Sequence, residues 1–224
     1  MPASKEGIDQ VTRLWQPPRM PRFATEAASG RASTEDRALL LPIEAGWLVV
    51  VADGTGGISG GARAAELLIR GVREAALTGF DTTDPASWTA LLDALDDVIA
   101  NDSGAGETTG VALVVTSGLV VGASCGDSRA FLFTPTGARE LTGQQPRKPR
   151  LGTGHAQAQP FCAEAHGVLV VGTDGLFDYV KLDDISRAIL AAPAGSADVL
   201  IRLVLERHRS PPDDIAVVVG WLDA

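Results

Sequence analysis

The chain has 224 residues, of which 45% are hydrophobic and 21% are charged, and its 28 acidic and 19 basic residues give a net charge of −9. This composition is typical of one large globular domain and excludes a disordered chain. The acidic balance disfavours nucleic acid and anionic membranes as partners, because both attract basic surfaces. The apolar runs are far shorter than the roughly 20 residues that a membrane-spanning helix needs.

The first part of the chain carries little regular pattern. Residues 1–30 contain four prolines among scattered charges, which predicts a loosely ordered or wrapping extension without regular elements, followed by a single domain at 31–224. Met1 is not followed by an apolar segment, so we expect a cytoplasmic chain without a secretory signal. Cys125 and Cys162 form neither a disulfide framework nor a zinc motif, and both are expected in the core.

Strands and helices are predicted from the spacing of the apolar residues. In chain order they are a strand at 47–52, helices at 62–76 and 88–99, strands at 111–116, 119–125, 130–133 and 168–171, helices at 183–190 and 196–208, and a strand at 215–222. Ser117 and Gly118 form a two-residue connection that suits an antiparallel hairpin. Hairpins of strands with separate helices predict an α+β fold, not a doubly wound parallel sheet.

Acidic side chains follow or precede four of these strands. They are Asp53, Asp127, Asp174 and Asp213. A single Asp-Gly after a strand is ordinarily only a turn. If the strand ends converge, however, the repulsion between buried carboxylates would oppose folding unless a cation lies between them. A set of oxygen ligands without thiolate or imidazole suits Mg²⁺ or Mn²⁺.

Six segments, in this order, resemble the motif set of the type 2C metal-dependent serine/threonine protein phosphatases (the PPM family), in particular its bacterial members. The segments are Arg31-Ala-Ser-Thr-Glu-Asp36, Ala52-Asp-Gly-Thr-Gly-Gly57, Thr108-Thr109, Cys125-Gly-Asp-Ser-Arg129, Gly172-Thr-Asp-Gly-Leu176 and Asp213-Asp-Ile-Ala216. The resemblance implies a four-layer α-β-β-α sandwich, in which two antiparallel sheets pack face to face with helices outside. It also implies two divalent ions, Mg²⁺ or Mn²⁺, at one end of the sandwich.

The resemblance further assigns ligands to those ions. Asp53 would bridge both ions, the Gly54 carbonyl would bind one of them, and Asp174 and Asp213 would hold the other. Glu35 and Asp36 would act through metal-bound waters. Asp127, together with Asp174, matches the acids that hold a third and weaker ion in bacterial relatives.

The implied reaction is hydrolysis of phosphoserine and phosphothreonine in proteins by a hydroxide that bridges the two ions. Arg31 matches the phosphate-binding arginine of the family, and its planar guanidinium suits phosphate oxygens. The predicted catalytic residues are Arg31, Asp36, Asp53, Asp174 and Asp213. The predicted partners are a phosphorylated protein and a cognate serine/threonine kinase, and the chain is expected to be a monomer.

The chain departs from the family pattern at several positions. Thr55 stands where well-studied members have a histidine that protonates the leaving group, so we expect water to do so here. Thr34 and Glu107 replace an asparagine and a glycine of the pattern. Asp214 either tightens ion binding or faces solvent, and we favour solvent. The short basic loop at 143–150 replaces a longer flap; it either steers acidic substrates toward the ions or is a solvated connector.

Other phosphate-binding architectures fit the sequence less well. The glycine-rich segment after Asp53 has no second acidic strand end about 20 residues later, as a dinucleotide fold needs, and no Lys-Ser or Lys-Thr, as a P-loop needs. Cys125 and Arg129 are too closely spaced for a cysteine-dependent phosphatase loop. The alternative from another functional class is a catalytically silent phosphatase-like module that binds a phosphoprotein or a partner as a sensor.

Overall fold

The computed structural model describes residues 21–28, 34–55, 60–191, 197–206, 208 and 211–222. The strands are β1 (Arg22–Ala28), β2 (Arg37–Ile43), β3 (Gly46–Ala52), β4 (Gly54–Thr55), β5 (Glu107–Thr108), β6 (Gly110–Val115), β7 (Leu119–Cys125), β8 (Arg129–Thr134), β9 (Gly137–Glu140), β10 (Gln159–Glu164), β11 (Val168–Gly172) and β12 (Ile215–Trp221). The helices are α1 (Gly61–Leu77), α2 (Pro85–Ala100), α3 (Asp174–Phe177), α4 (Leu182–Ala191) and α5 (Asp198–Leu205).

The longer strands form two five-stranded antiparallel sheets. The first sheet has the strand order β1-β12-β11-β8-β9, and the second has the order β10-β7-β6-β3-β2. The short strands β4 and β5 pair separately, directly after β3 and before β6. The predicted hairpin at Ser117-Gly118 joins β6 to β7.

The second sheet is covered on both faces. In β3, Leu48 and Val50 pack against α1 and α2, whereas Val49 and Val51 face the first sheet. All four side chains are 0% exposed. This double coverage explains why the central strands are continuous apolar runs, although antiparallel strands commonly alternate apolar and polar residues.

The first sheet repeats this arrangement on the other side of the molecule. In β12, Ala216 and Val218 face the second sheet, while Val217 and Val219 pack among the apolar residues of α3, α4 and α5. The layers are therefore helix, sheet, sheet, helix. The predicted α+β fold with two facing antiparallel sheets and outer helices is confirmed.

Local sequence signals fix the start of α2. The side chain of Asp84 accepts hydrogen bonds from the backbone N–H groups of Ala86 and Ser87, and Pro85 occupies the first turn, where its missing N–H costs nothing. Trp88 in this turn is 0% exposed, and its indole N–H donates to the Thr82 carbonyl oxygen at 2.9 Å. The cap fixes where α2 begins, and the buried indole packs the start of the helix against the core beside the second sheet.

The structure differs from the sequence prediction mainly at the sheet edges. The strands β1, β2, β9 and β10 were not predicted, and each of them is the outermost strand of its sheet. The expectation of no regular element in residues 1–30 is wrong for β1, which pairs with β12 along its whole length. Cys125 is buried as expected, but Cys162 is exposed on β10, where it lies on the opposite face from the buried Phe161 and Ala163.

Within the described ranges, no helix combines the length and the apolar character needed to cross a membrane.

Candidate metal centre

The acidic residues singled out in the sequence lie where the chain enters or leaves strands of both sheets. Asp53 directly follows β3, Asp127 lies between β7 and β8, and Asp174 begins α3 immediately after β11. Their carboxylate oxygens come within 4.8 Å of one another. Three segments that are far apart in sequence therefore bring three carboxylates close together. The cation site predicted from the sequence depends on this convergence of the strand ends.

Further acids lie around this group. Asp36 is 4% exposed and lies close enough to Asp53 for their charges to repel. Asp213 lies close enough to Asp174 for their charges to repel, and Asp214 has the same relation to Asp36. The cluster thus gathers the predicted residues Asp36, Asp53, Asp127, Asp174 and Asp213 at one end of the sandwich.

The electrostatics of the cluster are unfavourable without a cation. Burial, and then the charge of Asp53, raises the pKa of Asp36 to about 9. Burial and the charges of Asp174 and Asp127 raise the pKa of Asp53 to about 7. Burial and the charges of Asp127 and Asp213 raise the pKa of Asp174 to about 6. Near neutral pH the metal-free cluster therefore retains protons that isolated aspartates would lose.

The donor set fits divalent cations. The donors at the point of convergence are carboxylate oxygens, which hard ions such as Mg²⁺ and Mn²⁺ prefer. Oδ2 of Asp36 is buried and has no hydrogen-bond partner among the described residues, so it is available to a cation or its water. A dication would also reverse the pKa shifts, because it favours the ionised carboxylates.

The backbone around Asp53 is held by the predicted Thr108-Thr109 pair. The Asp53 N–H donates to Oγ1 of Thr109 at 3.1 Å, and the Thr109 N–H donates to the Asp53 carbonyl oxygen at 2.9 Å. The Thr108 hydroxyl donates to the same carbonyl at 3.0 Å. Thr109 also shares a 2.6 Å hydrogen bond with the Ser128 hydroxyl, next to Asp127. The two threonines therefore connect the Asp53 and Asp127 segments.

Asp214 does not face solvent, and the expectation that it does is wrong. Its side chain is 3% exposed, and Oδ2 accepts a 2.8 Å hydrogen bond from the Glu35 N–H. The residue thereby ties the segment before β12 to the segment before β2. Asp214 helps to place Glu35 and Asp36, which sequence analysis could not show because the contact spans 179 residues.

Gly175 permits the close approach of α3 to the segment before β12. A Cβ atom on Gly175 would lie 2.0 Å from the Asp214 carbonyl oxygen, which is well inside van der Waals contact. Gly175→Ala is therefore expected to lower the free energy of unfolding by about 2–3 kcal/mol through overpacking. Urea unfolding measures this change. In the matched variant Gly118→Ala, the new Cβ has no neighbour within 4 Å, and we expect a change within about 0.5 kcal/mol. Equal losses in the two variants would contradict the steric argument.

The remaining predicted residues are placed as follows. Gly54 is buried in β4, paired with Thr108, and Glu35 is partly buried beside Asp36. Thr55 lies opposite Glu107 in the same short sheet, and its hydroxyl is buried without a hydrogen-bond partner among the described residues. The predicted phosphate-binding residue Arg31 lies outside the described residues.

Sequence analysis missed one functional side chain, which belongs to the basic loop 143–150. Arg150 is only 14% exposed, and Nη2 lies 3.1 Å from an oxygen of Asp127. Arg147 is 64% exposed and pairs with Asp178 at 3.5 Å. Neither predicted role of the loop describes Arg150, because the residue is part of the acidic cluster. The charge of the loop was visible in the sequence, but the direction of each side chain was not.

Comparison with known proteins agrees with this geometry. Residues 44–220 match the family model described as Stage II sporulation protein E (SpoIIE). A search of curated proteins finds no match.

Among solved structures, a bacterial serine phosphatase superposes with a TM-score of 0.77 at 20% identity, covering 90% of this chain and 97% of that chain. The catalytic domain of the serine/threonine protein phosphatase PstP, solved in complex with two manganese ions, gives 0.73 at 26% identity, with coverage of 90% and 97%. The Mycobacterium tuberculosis phosphatase PstP/Ppp gives 0.74 at 26% identity, with coverage of 91% and 99%. Since the family model spans most of the sequence and the fold agrees, the chain belongs to the SpoIIE family, within the type 2C (PPM) protein phosphatases that its motifs resemble.

Proposed function

We propose that the chain hydrolyses phosphoserine and phosphothreonine in proteins with the help of two divalent ions, Mg²⁺ or Mn²⁺. The observation that carries the proposal is the convergence of the Asp53, Asp127 and Asp174 carboxylates within 4.8 Å of one another, at one end of a phosphatase fold. PstP, which has the same fold, was solved with two manganese ions, and this supports the proposed ion count.

The first group of ligands follows from the positions of the acids. Asp53 has both Asp36 and Asp174 as charged neighbours, so its two oxygens would serve two ions. Asp174 and Asp213 lie close to each other and would hold one of those ions. The Gly54 carbonyl would bind the other ion, because it directly follows Asp53.

The residues around these ligands would act less directly. Glu35, whose backbone N–H bonds Asp214, and its neighbour Asp36 would orient waters on the ions. When bound, the ions would supply a water acidic enough to act as nucleophile near neutral pH and would offset charge on the phosphoryl oxygens. Arg31 is proposed to bind the phosphoryl group. With Thr55 in the position after Asp-Gly, no imidazole is assigned as general acid, and bulk water would protonate the leaving alkoxide.

A phosphorylated protein is the substrate that this proposal requires. A cognate serine/threonine kinase, a monomeric state and a cytoplasmic location stay predictions of the sequence. The silent phosphatase-like module is not favoured by any contact in the described residues, since the acids that would hold the ions are present and converge.

The proposal is tested by assaying the purified protein on phosphoserine and phosphothreonine peptides and on a small aryl phosphate, with Mn²⁺, with Mg²⁺ and with chelator. We expect metal-dependent hydrolysis that Asp174→Asn abolishes. Asp198→Asn, which removes an exposed acid on α5, serves as the matched control and should retain full activity. Hydrolysis that is insensitive to chelator would overturn the proposal, and metal binding without hydrolysis of any phosphopeptide would favour the silent module.

A further inference from the structure

Arg150 enters the acidic cluster from the loop that follows β9. Its Nη2 lies 3.1 Å and 3.3 Å from the two carboxylate oxygens of Asp127. The side chains of Arg150 and Asp127 are only 14% and 10% exposed. A buried carboxylate needs a paired cation, and here the guanidinium is that cation.

Hydrogen bonds fix the backbone around Arg150 beside the acidic cluster. Leu151 exchanges backbone hydrogen bonds of 2.9 Å and 3.0 Å with Thr108, the residue whose hydroxyl binds the Asp53 carbonyl. The Arg150 carbonyl oxygen accepts from the Thr153 hydroxyl at 2.8 Å. The anchor of Arg150 is thus the same β5 segment that supports Asp53.

The loop beyond Arg150 is fastened to helix α2. The buried carboxylate of Asp96 accepts hydrogen bonds from the N–H groups of Gly152, Gly154 and Ala156, at 2.6, 3.1 and 2.7 Å. Asp96 is 3% exposed, so these bonds are shielded from water. A loop held in this way resists moving Arg150 out of the cluster.

Asp127 is equally constrained from its own side. Its neighbour Ser128 bonds Thr109 through the side chain at 2.6 Å and receives a 2.6 Å hydrogen bond on its carbonyl from the Gln145 amide. Gly126 has a φ of +98° and packs on Thr109, a conformation that suits glycine. Contacts of their own therefore fix the backbone of both partners of the ion pair.

Asp127 is one of the three converging carboxylates, and a guanidinium already neutralises it. A dication placed against Asp127 would lie beside this fixed positive charge and be repelled by it. The charge of Arg150 also partly offsets the raised pKa values of Asp53 and Asp174, but among the ion pairs of the described residues its partner is Asp127.

We propose that the guanidinium of Arg150 pairs with Asp127 where a divalent ion would otherwise bind, so that the centre binds two ions and not three. This inference rests on the proposed function and deepens it, and it replaces the third ion that sequence analysis assigned to Asp127. Arg150 is a positioning residue: it sets the charge and the ion count of the centre through Asp127.

The test counts the Mn²⁺ ions that the full chain binds, by isothermal titration and by electron paramagnetic resonance of free Mn²⁺ up to millimolar concentrations. We expect two ions per chain for the unmodified protein and for the charge-conserving variant Arg150→Lys. Arg150→Met should bind a third ion at least tenfold more weakly than the other two. The double variant Arg150→Met/Asp127→Asn should return to two ions, because it also removes the proposed ligand of the added ion.

Arg147→Met is the matched control. It removes the same charge from the same loop, but from a side chain that is 64% exposed and contacts Asp178, so it should still bind two ions. A third ion in this variant would show a general charge effect and overturn the proposal.

Four further outcomes decide between the proposals. A third ion bound by the unmodified protein, or an unchanged count in folded Arg150→Met, would overturn the proposal. If Arg150→Met does not fold, Asp127→Asn alone decides: two ions both before and after the substitution support the proposal, whereas a fall from three to two overturns it. A protein that binds no Mn²⁺ at all would instead overturn the proposed function, and the two failures are thereby distinguished.

Discussion

Asp53→Asn is expected to abolish Mn²⁺ binding and to lower kcat/KM on an aryl phosphate by about 1,000-fold or more. The charge of Asp53 acts on Asp36, and a carboxylate oxygen of Asp53 lies within 4.8 Å of oxygens of Asp174 and Asp127, so Asp53 is the acid that both proposed ions would share. Metal ions contribute several kcal/mol of charge stabilisation to such reactions, and each 1.36 kcal/mol corresponds to tenfold in rate. Calorimetry with Mn²⁺ and steady-state kinetics measure the two losses.

The same substitution is expected to stabilise the metal-free protein at pH 8. Burial is the largest cause of the raised pKa of Asp36, and the charge of Asp53 is the second. Removing that charge therefore relieves repulsion inside the cluster. Thermal unfolding in chelator should therefore give a higher Tm for Asp53→Asn than for the unmodified chain. Asp198→Asn, an exposed control on α5, should change neither the Tm nor the activity appreciably. An Asp53→Asn protein that keeps tight Mn²⁺ binding and full activity would disprove the assigned role.

The metal-free protein is expected to lose stability as pH rises from 6 to 8.5. Burial and neighbouring charges raise the pKa of Asp36 from 3.8 to about 9 and that of Asp53 from 3.8 to about 7. Between the unfolded and folded values the native state binds more protons than the unfolded state, so the free energy of unfolding falls with increasing pH. A carboxyl contributes about 1.4 kcal/mol per pH unit only below its folded pKa, so Asp36 contributes over the whole window and Asp53 only up to about pH 7. For a domain of this size the Tm in chelator should fall by roughly 10 °C.

Divalent ions should suppress this loss. Because they bind the ionised carboxylates, their affinity increases with pH, and at 100 times Kd each would add about 2.7 kcal/mol. The Tm difference between Mn²⁺ and chelator should therefore be larger at pH 8.5 than at pH 6. Asp36→Asn, which removes the most strongly shifted carboxyl, should flatten the pH dependence in chelator, whereas Asp198→Asn should not. A chelator Tm that is constant or increases over this range would refute the argument.

These two predictions describe a compromise between stability and activity at one end of the sandwich. Asp36, Asp53 and Asp174 repel one another when metal is absent, and the surrounding fold maintains their positions. Oγ1 of Thr109 and Oδ2 of Asp214 accept hydrogen bonds from the backbone N–H groups of Asp53 and Glu35, and these bonds supply part of that restraint. Because the cost is present before metal arrives, the energy recovered on ion binding is correspondingly large.

The central elements could be predicted because their sequence signals are local. Each strand from β3 to β8, apart from the two-residue β4 and β5, is an apolar run ended by Gly, Asp or Thr, and α1 and α2 show helical spacing. The edge strands could not be predicted in the same way. β2 contains Pro42, β10 alternates buried and exposed residues over only six positions, and β1 lies in a proline-rich segment. Their strand conformation depends on pairing with a neighbour, which is a tertiary property.

The residues of the candidate site also fall into those that the sequence could predict and those that it could not. The acids Asp53, Asp127, Asp174 and Asp213 could be selected because each borders a predicted strand, and the family motifs added Glu35 and Asp36. The burial of Asp214 and the direction of Arg150 could not be foreseen. Asp214 contacts Glu35 across 179 residues, and Arg150 contacts Asp127 across 23. In sequence both resemble ordinary surface charges beside a loop.

The sequence by itself determined the fold class and predicted a metal centre together with most of its acids, because apolar periodicity and residue type are properties of short segments. Only the tertiary structure decided that Asp53, Asp127 and Asp174 meet within 4.8 Å and that Arg150 already neutralises one of them. The reason is that strand order, register and the packing of the two sheets fix which strand ends coincide, and these depend on contacts between residues far apart in the chain.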